Sequence, residues 1–122
     1  MKKILVVGGA GYIGAHIAWL LQEGGYQVRI YDDFSNGLKS RVEGKFYDVV
    51  IGDVLDRKLL VDSLVGIDGV IHLAAKKAVG ESVSNPLKYY ENNVGGTLNI
   101  LAAMSVNGVK NLIFSSTAAV YS

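Results

Sequence analysis

The sequence predicts an α/β fold in which helices cover both faces of a doubly wound parallel sheet of about five strands. Two observations predict it. Short β-branched runs alternate with helical patterns along all 122 residues, and the first run is followed at once by a glycine cluster that opens a helix. Because parallel strands are joined by right-handed crossovers, we expect the strand order 3-2-1-4-5.

The glycine cluster lies at the first strand-to-helix junction. Ile4–Val7 is an apolar run typical of a strand buried on both faces. Helical spacing follows at Ile13, Ile17, Leu20 and Leu21, and the glycines between are Gly8, Gly9, Gly11 and Gly14. Glycines at such a junction allow a tight turn, backbone approach to a pyrophosphate and close helix–strand packing. The phosphates would bind the N–H groups at the positive end of the helix.

An acid follows the second predicted strand. The first helix ends at Glu23-Gly24-Gly25, and Gln27–Tyr31 forms the second strand. Asp32 follows Gly14 at about the twenty-residue spacing at which a carboxylate accepts hydrogen bonds from an adenosine ribose. Strand, helix and acid together favour dinucleotide binding over a purely structural glycine turn. The acid also favours NAD over NADP, because a 2′-phosphate would face a carboxylate.

The middle of the chain leaves two alternatives open. In the polar connection Asp33–Gly44, Asn36-Gly37 is either an ordinary turn or a cofactor contact. Lys45–Ile51 is the predicted third strand. The next helix carries Leu59, Leu60 and Leu64, and Asp53 before it can cap that helix, reach an adenine amino group, or do both.

The fourth predicted strand, Gly69–Ala74, ends in small residues that let a cofactor pass close, Ala74 and Ala75. His72 inside this strand is interpreted as a packed histidine. A metal site is not expected, because no second histidine lies at metal-ligand spacing. Lys76–Ser84 is predicted to be a polar loop.

The longest predicted helix opens at Asn85-Pro86, a typical cap and first-turn pair. Its apolar stripe is Leu87, Tyr90, Val94, Leu98 and Leu101. Gly95 and Gly96 lie in mid-helix, where each costs about 1 kcal/mol relative to alanine. Close approach to the sheet or the cofactor would explain them, and so would neutral drift. Asn107-Gly108 ends the helix, and Asn111–Ser115 is the fifth strand.

Ligands of doubly wound sheets bind beyond the carboxyl ends of the strands. Five stretches scattered in the sequence are predicted to meet at that edge: the glycine turn, Asp32, Asp53, Ala74–Lys77 and Ser115–Thr117. This convergence supports a binding site more strongly than any single motif.

The composition excludes several classes of protein. Half of the residues are hydrophobic, enough for one domain with a core but not for two. A net charge of +1 without a basic stripe argues against nucleic acid and anionic membranes as partners. The absence of cysteine excludes disulfides and thiolate metal sites. With neither a secretion signal nor a membrane-length apolar run, a cytoplasmic location is expected.

Six stretches distributed along the chain resemble the N-terminal part of the UDP-glucose (UDP-galactose) 4-epimerases of the extended short-chain dehydrogenase/reductase family, and the resemblance runs from end to end of the chain. They are GGAGYIGAH, YDDFSNG, GDVLD, HLAAKKAVGES, NPLKYYENNVGGTLNIL and FSSTAAVYS. The glycine motif is shared by the whole family. KAVGES followed by NPL and YYENN is more typical of the epimerases than of the related dehydratases and decarboxylases.

The resemblance implies a set of NAD contacts. Those around the pyrophosphate are Gly8, Gly11, Tyr12, Ile13 and Gly14. The adenosine end is served by Asp32, Asp33, Asn36, Asp53 and Val54. The middle of the cofactor and its nicotinamide side are lined by Leu73, Ala74, Ala75, Lys77, Asn92 and Ser115. Lys77 and Thr117 are the implied substrate contacts, and Thr117 matches the catalytic Ser/Thr that hydrogen-bonds the sugar hydroxyl being oxidised.

The resemblance also implies a reaction: a hydride leaves C4 of a UDP-hexose for NAD and returns to the opposite face of the 4-keto sugar. The family's base is a tyrosine with a lysine four residues later, and no tyrosine here has one. We therefore expect residues 1–122 to be one partial NAD-binding Rossmann domain, inactive alone, of a homo-oligomeric enzyme whose C-terminal strands and substrate domain are absent. The alternatives are a fragment of a related dehydratase or decarboxylase, and a non-catalytic NAD-binding or structural module.

Overall fold

The structure, a computed structural model, describes residues 2–9, 11–34, 48–73 and 86–114. These residues form five strands and three helices that alternate along most of the chain. In order, the elements are β1 (Lys3–Val7), α1 (Tyr12–Glu23), β2 (Gln27–Asp32), β3 (Asp48–Ile51), α2 (Arg57–Ser63), β4 (Gly69–His72), α3 (Pro86–Asn107) and β5 (Asn111–Phe114).

The five strands form one parallel sheet in the order β3-β2-β1-β4-β5. The predicted fold class and strand order are therefore confirmed. The centre of the sheet is β1, whose last residue, Val7, lies opposite Tyr31 of β2 on one side and His72 of β4 on the other. Its position explains the continuous apolar run, because a central parallel strand is buried on both faces.

The core divides into two clusters, one on each face of the sheet. Alternate residues of β1 and β2 point to opposite faces, so each strand contributes to both clusters. On the α1 face the fully buried residues are Val6, Ala18, Val28 and Ile30. On the face covered by α2 and α3 the buried residues include Leu5, Val7, Tyr31, Leu60, Leu64, Val70, Ile100, Ala103 and Met104. A core on each face is what a doubly wound fold requires, because helices cover both faces of its sheet.

Several predicted boundaries can be compared with the structure. The second strand runs one residue further than expected, to Asp32. The third begins at Asp48, and the fourth ends at His72, so Leu73 follows the fourth strand instead of belonging to it. Residues 45–47 and Ala74, also predicted to lie in these two strands, are outside the described residues. Asn36-Gly37, most of the Asp33–Gly44 connection, the Lys76–Ser84 loop, Asn85 and Ser115 also lie outside them.

The apolar stripe predicted for the longest helix is not the face of α3 that packs on the core. More than two-fifths of the surface of Leu87, Val94, Leu98 and Leu101 is exposed, and the side chain of Tyr90 lies outside the described part. The buried face carries Gly96, Ile100, Ala103 and Met104. Gly96 faces inward because the helix there lies close to Val54, in the segment that follows β3.

In α1 too, two of the apolar residues at helical spacing are exposed instead of packing on the core. Its spacing predicted a helix correctly, but Ile13 and Leu20 are about half exposed, whereas Gly14 and Ala18 are buried against the sheet. In the described part of the chain, none of the helices combines the length and the apolar character that crossing a membrane requires.

Candidate functional site

The carboxyl ends of four strands are joined by backbone hydrogen bonds that continue the sheet beyond its strands. The Gly8 N–H donates to the Tyr31 carbonyl at 2.8 Å, and the Gly52 N–H donates to the Asp32 carbonyl at 3.0 Å. The Leu73 N–H donates to the Val7 carbonyl at 2.7 Å. One edge of the sheet therefore gathers three of the five predicted stretches, namely the glycine turn, Asp32 and the segment that carries Asp53, with Leu73 beside them. The other two, Ala74–Lys77 and Ser115–Thr117, lie outside the described residues.

Two glycines of the turn are required by the turn itself. Gly8 has φ +90°, a left-handed conformation that side chains disfavour. A Cβ on Gly14 would overlap the Gly8 carbonyl oxygen and lie 2.9 Å from the Gly9 Cα, so α1 could not begin this close to β1. These positions need glycine whether or not a ligand binds.

Gly11 is different. Its φ of −71° and ψ of 167° are extended backbone open to any residue. Among the described atoms, a Cβ there would approach only the Gly8 carbonyl oxygen, at 3.5 Å, which is ordinary contact. The packing of the described residues therefore does not explain this glycine, which lies at the start of a helix.

The N-terminus of α1 is chemically suited to an anion. Gly11 is its cap residue and has no side chain to accept from the first-turn N–H groups, and the first turn carries no acid that would neutralise the positive end of the helix. Ile13 in that turn is half exposed. The side chain of Tyr12 lies outside the described residues.

Asp32, the last residue of β2, has a structural role that the sequence did not reveal. Its Oδ1 accepts from the Phe34 N–H at 2.7 Å, and Phe34 adopts a left-handed φ of 62°. The carboxylate thereby stabilises the backbone turn at Phe34, beside an exposed Asp33. A carboxylate has two oxygens and about four lone-pair sites, so a group that holds this turn can also serve a ribose.

Of the two roles left open for Asp53, the structure excludes the cap of α2. The cap of α2 is Asp56, whose Oδ1 accepts from the Leu59 N–H at 3.1 Å, three residues into the helix. The exposed Asp53 instead accepts from the Leu55 N–H at 2.9 Å, which fixes its carboxylate over the segment that links β3 to α2. The cap lies one turn later because the chain first packs Val54 against α3.

His72 is a packed histidine, as its position inside a buried strand predicts. It is 4% exposed, lies with its ring centroid 5.1 Å from that of Phe114, and its Nε2 is 3.3 Å from the Thr97 Oγ1. Because the Thr97 hydroxyl donates to the Asn93 carbonyl at 2.9 Å, it must accept from His72 Nε2–H, which leaves Nδ1 buried without a hydrogen-bond partner among the described residues. Burial lowers the pKa of His72 to about 4.

Two residues that support this edge were missed at the level of sequence. Tyr31 was interpreted as an ordinary strand residue, yet its hydroxyl donates to the Asp53 carbonyl at 2.7 Å. Asn99 donates from Nδ2 to the Val54 carbonyl at 3.0 Å. The available signal was chemical: a tyrosine or asparagine facing a core must find a hydrogen-bond partner there.

The structure places nine of the predicted site residues: Gly8, Gly11, Ile13, Gly14, Asp32, Asp33, Asp53, Val54 and Leu73. Six others lie outside the described residues, namely Asn36, Ala74, Ala75, Lys77, Ser115 and Thr117, as do the side chains of Tyr12 and Asn92. In the part of the chain that can be described, no group of three or more His, Cys, Asp or Glu side chains could hold a metal ion.

A glycine turn between β1 and α1, acids after β2 and β3, and a doubly wound parallel sheet define the class of Rossmann-type nucleotide-binding folds. Comparison with known proteins gives the family. Residues 4–122 match the NAD dependent epimerase/dehydratase family, and the chain belongs to it.

Individual relatives agree with this assignment. The chain is 45% identical over 127 residues to a UDP-glucose 4-epimerase of Klebsiella pneumoniae, covering 98% of this chain and 91% of that protein. It is 49% identical over 128 residues to the UDP-glucose 4-epimerase of Yersinia pestis, covering 97% of this chain and 37% of that protein. The crystal structure of the Brucella ovis UDP-glucose 4-epimerase in complex with NAD superposes with a TM-score of 0.89 at 47% identity, covering 95% of this chain and 36% of that one. The chain thus spans little more than a third of the latter two relatives.

Proposed function

We propose that residues 1–122 are the NAD-binding part of a UDP-glucose 4-epimerase, and that the carboxyl edge of the sheet holds the cofactor. The observation that carries the proposal is Gly11, which is a glycine although neither its backbone conformation nor its described surroundings require one. A ligand that must approach the backbone at that point explains it.

Charge favours a pyrophosphate at the start of α1. Two linked phosphates carry negative charge, and the start of α1 offers N–H groups and the positive end of a helix dipole with no neutralising acid in its first turn. Gly8 and Gly14 bring this helix start against the end of β1. We therefore place the phosphates over Gly11, between Gly8 and the first turn with Ile13.

Asp32 and Asp53 favour binding of the adenosine end of the cofactor at the ends of β2 and β3. Asp32 would accept from the ribose hydroxyls, and the oriented carboxylate of Asp53, with Val54 beside it, would face the adenine. Asp33 is exposed next to Asp32 and adds negative charge at the ribose. These charges oppose the 2′-phosphate of NADP, so NAD is the expected cofactor.

The whole enzyme would interconvert UDP-glucose and UDP-galactose. Bound NAD supplies the acceptor and donor of a hydride at C4 of the hexose. Within this chain, Leu73 and the small residues after it would line the middle of the cofactor, and Thr117 would hydrogen-bond the reacting sugar hydroxyl. Lys77, Asn92 and Ser115 would lie on the nicotinamide side. No tyrosine of the 122 residues has a lysine four residues later, so we expect the chain alone to bind NAD without epimerising.

Self-association is also expected of this chain, in keeping with a homo-oligomeric enzyme. In the described sheet β5 is an edge strand, and its Ile113 and Phe114 are 65% and 50% exposed. An exposed apolar edge invites pairing with another copy. Size-exclusion chromatography with light scattering tests this expectation, and a strict monomer at high concentration would contradict it.

Calorimetric titration of NAD into the chain tests the cofactor proposal, with Gly11→Val as the matched variant. Saturable binding that the valine abolishes, while circular dichroism shows an unchanged fold, is the expected result. An absence of binding by the wild type would refute the proposal for this chain. Measurable turnover of UDP-galactose by the purified 122 residues would refute the expectation that it is inactive alone.

A further inference from the structure

We propose that Tyr31 and Asn99 are positioning residues for the adenine end of the site. Together they hold the backbone of Gly52–Leu55, which we call the β3–α2 segment, so that the Asp53 carboxylate is presented in one orientation. The inference rests on the proposed NAD site, because it assigns that orientation to adenine recognition.

Tyr31 holds the β3–α2 segment from beneath. Its side chain is fully buried in the core between the sheet and α2, yet its hydroxyl donates to the Asp53 carbonyl at 2.7 Å. Burial raises the pKa of the phenol, and Asp56 and Asp53 add to the effect, so the group remains a protonated donor. Gly52 permits this contact, since a Cβ there would lie 2.7 Å from the Tyr31 Oη.

Asn99 holds the next residue from the side. From the middle of α3, its Nδ2 donates to the Val54 carbonyl at 3.0 Å. Its Oδ1 accepts from the Arg57 Nε at 2.9 Å. Because a guanidinium can only donate, this second bond determines which way the amide is turned, and the NH₂ group is directed at Val54. Two successive carbonyls of the segment are thus fixed by side chains from different elements.

The helix α3 also fits the side chains of the segment. Val54 packs into the notch at Gly96, where an added Cβ would lie 2.6 Å from the Val54 Cγ2. Leu55 lies over Gly95, whose Cβ would be 3.1 Å from the Leu55 Cδ2. The approach that explains Gly96 in mid-helix is therefore to the β3–α2 segment, and not to the sheet or the cofactor.

The result is a surface segment held at four consecutive residues. Connecting segments are usually the mobile part of a fold. Here the exposed Asp53 has its backbone carbonyl held by Tyr31 and its carboxylate held by the Leu55 N–H at 2.9 Å. Recognition residues gain affinity when their orientation is determined before the ligand arrives. Tyr31 and Asn99 supply that orientation without touching the ligand.

The test compares matched variants of the full 122-residue chain. Asn99→Asp keeps an acceptor for Arg57 but removes the donor to Val54. Asn107→Asp is its control, because Asn107 makes the same kind of bond from α3, donating to the Val61 carbonyl at 2.9 Å, away from the site. Tyr31→Phe removes only the hydroxyl. Its control is Ser63→Ala, which deletes a buried hydroxyl that donates to the Leu59 carbonyl at 2.7 Å.

Each protein is titrated with NAD, with ADP-ribose and with nicotinamide mononucleotide, which lacks adenine. Tyr31→Phe and Asn99→Asp are expected to weaken NAD and ADP-ribose about three- to tenfold, the effect of one hydrogen bond, and to leave the mononucleotide unchanged. The two controls are expected to lower the free energy of unfolding without changing either affinity. Equal losses of affinity in site variants and controls would overturn the positioning role.

Backbone NMR order parameters, measured without ligand, separate this inference from the proposed function. They are expected to fall at Gly52–Leu55 in Tyr31→Phe and Asn99→Asp and to stay unchanged in the controls. Unchanged values in all four variants would overturn the inference even if NAD binds. If the wild type does not bind NAD, the proposed function fails for this chain, and adenine recognition by the segment fails with it.

Discussion

Replacing Gly11 with serine separates what the fold needs from what the cofactor needs. Gly11 is the cap residue of α1, with the extended backbone that a serine cap adopts. A Cβ at this position would meet the Gly8 carbonyl oxygen at 3.5 Å, an ordinary contact. The serine hydroxyl could then accept from the N–H of Ile13 or Gly14, as N-cap hydroxyls do.

Stability and binding should change in opposite directions. Serine is a better cap than glycine by a few tenths of a kcal/mol, so Gly11→Ser is expected to raise the free energy of unfolding by about 0.3 kcal/mol. The same hydroxyl takes an N–H group and the space that the phosphates would use. A hydrogen bond to a charged group is worth about 1.5 to 3 kcal/mol, so NAD affinity should fall at least about tenfold.

Urea unfolding followed by circular dichroism gives the first quantity, and calorimetric titration with NAD gives the second. Gly14→Ala is the matched control. Its Cβ would overlap backbone atoms of Gly8 and Gly9, which cannot rotate away. We expect that variant to lose about 3 kcal/mol of stability, the upper end of the range for overpacking.

Two outcomes would refute the reasoning. Wild-type affinity for NAD in Gly11→Ser would mean that no phosphate lies against this residue. A loss of stability above about 1 kcal/mol in the same variant would mean that packing requires glycine there and that its presence needs no ligand.

Three further predictions follow from the structure. Gly95→Ala should raise the free energy of unfolding by up to about 1 kcal/mol, because the exposed end of Leu55 can move away from the new methyl group. Gly96→Ala should lower the free energy of unfolding by about 1 to 2 kcal/mol, because its methyl group would meet the β-branched Val54, which cannot easily move. Burial lowers the pKa of His72 from 6.5 to about 4, so protonation of this histidine favours the unfolded chain. The neutral histidine therefore contributes stability on the order of 3 kcal/mol, which should be complete above about pH 6.5 and disappear as the pH falls to about 4. The wild type should prefer NAD to NADP, and Asp32→Asn, which keeps an acceptor for the backbone, should narrow the ratio of the two affinities.

Each of these has its own check. Urea unfolding of Gly95→Ala and Gly96→Ala tests the first prediction. Equal changes in the free energy of unfolding of the two variants would contradict the fit between α3 and the β3–α2 segment. For the second, His72→Leu removes the titrating group, and an unchanged pH dependence of unfolding between pH 6.5 and 4 would contradict the assignment. Parallel calorimetric titrations with NAD and NADP measure the third, which equal affinities in the wild type would contradict.

Local patterns were sufficient where one physical requirement dominates. The run Ile4–Val7 indicates a strand buried on both faces, since it is apolar at every position, rich in β-branched residues and ends at glycines. Helical spacing likewise identified α1 and α3 as helices. The same spacing did not reveal their buried faces, because α3 carries apolar residues on its outer surface as well as small residues on its inner one.

Contacts between distant residues were beyond the reach of the sequence. Asp53 and Asp56 are equally good caps by type, and the choice depends on how Val54 packs against α3 at Gly96. That Tyr31 and Asn99 converge on adjacent carbonyls depends on the relative placement of β2, α3 and the segment after β3.

The sequence by itself determined the class of fold and the strand order, and it predicted the edge at which we propose that a nucleotide binds. Each follows from short-range chemistry repeated along the chain: buried runs, glycine junctions and acids after strands. Only the tertiary structure decided which face of each helix is buried, which acid caps α2 and which side chains hold the binding edge. Those choices depend on distances between segments far apart in sequence, and hydrophobicity and spacing along one segment do not encode such distances.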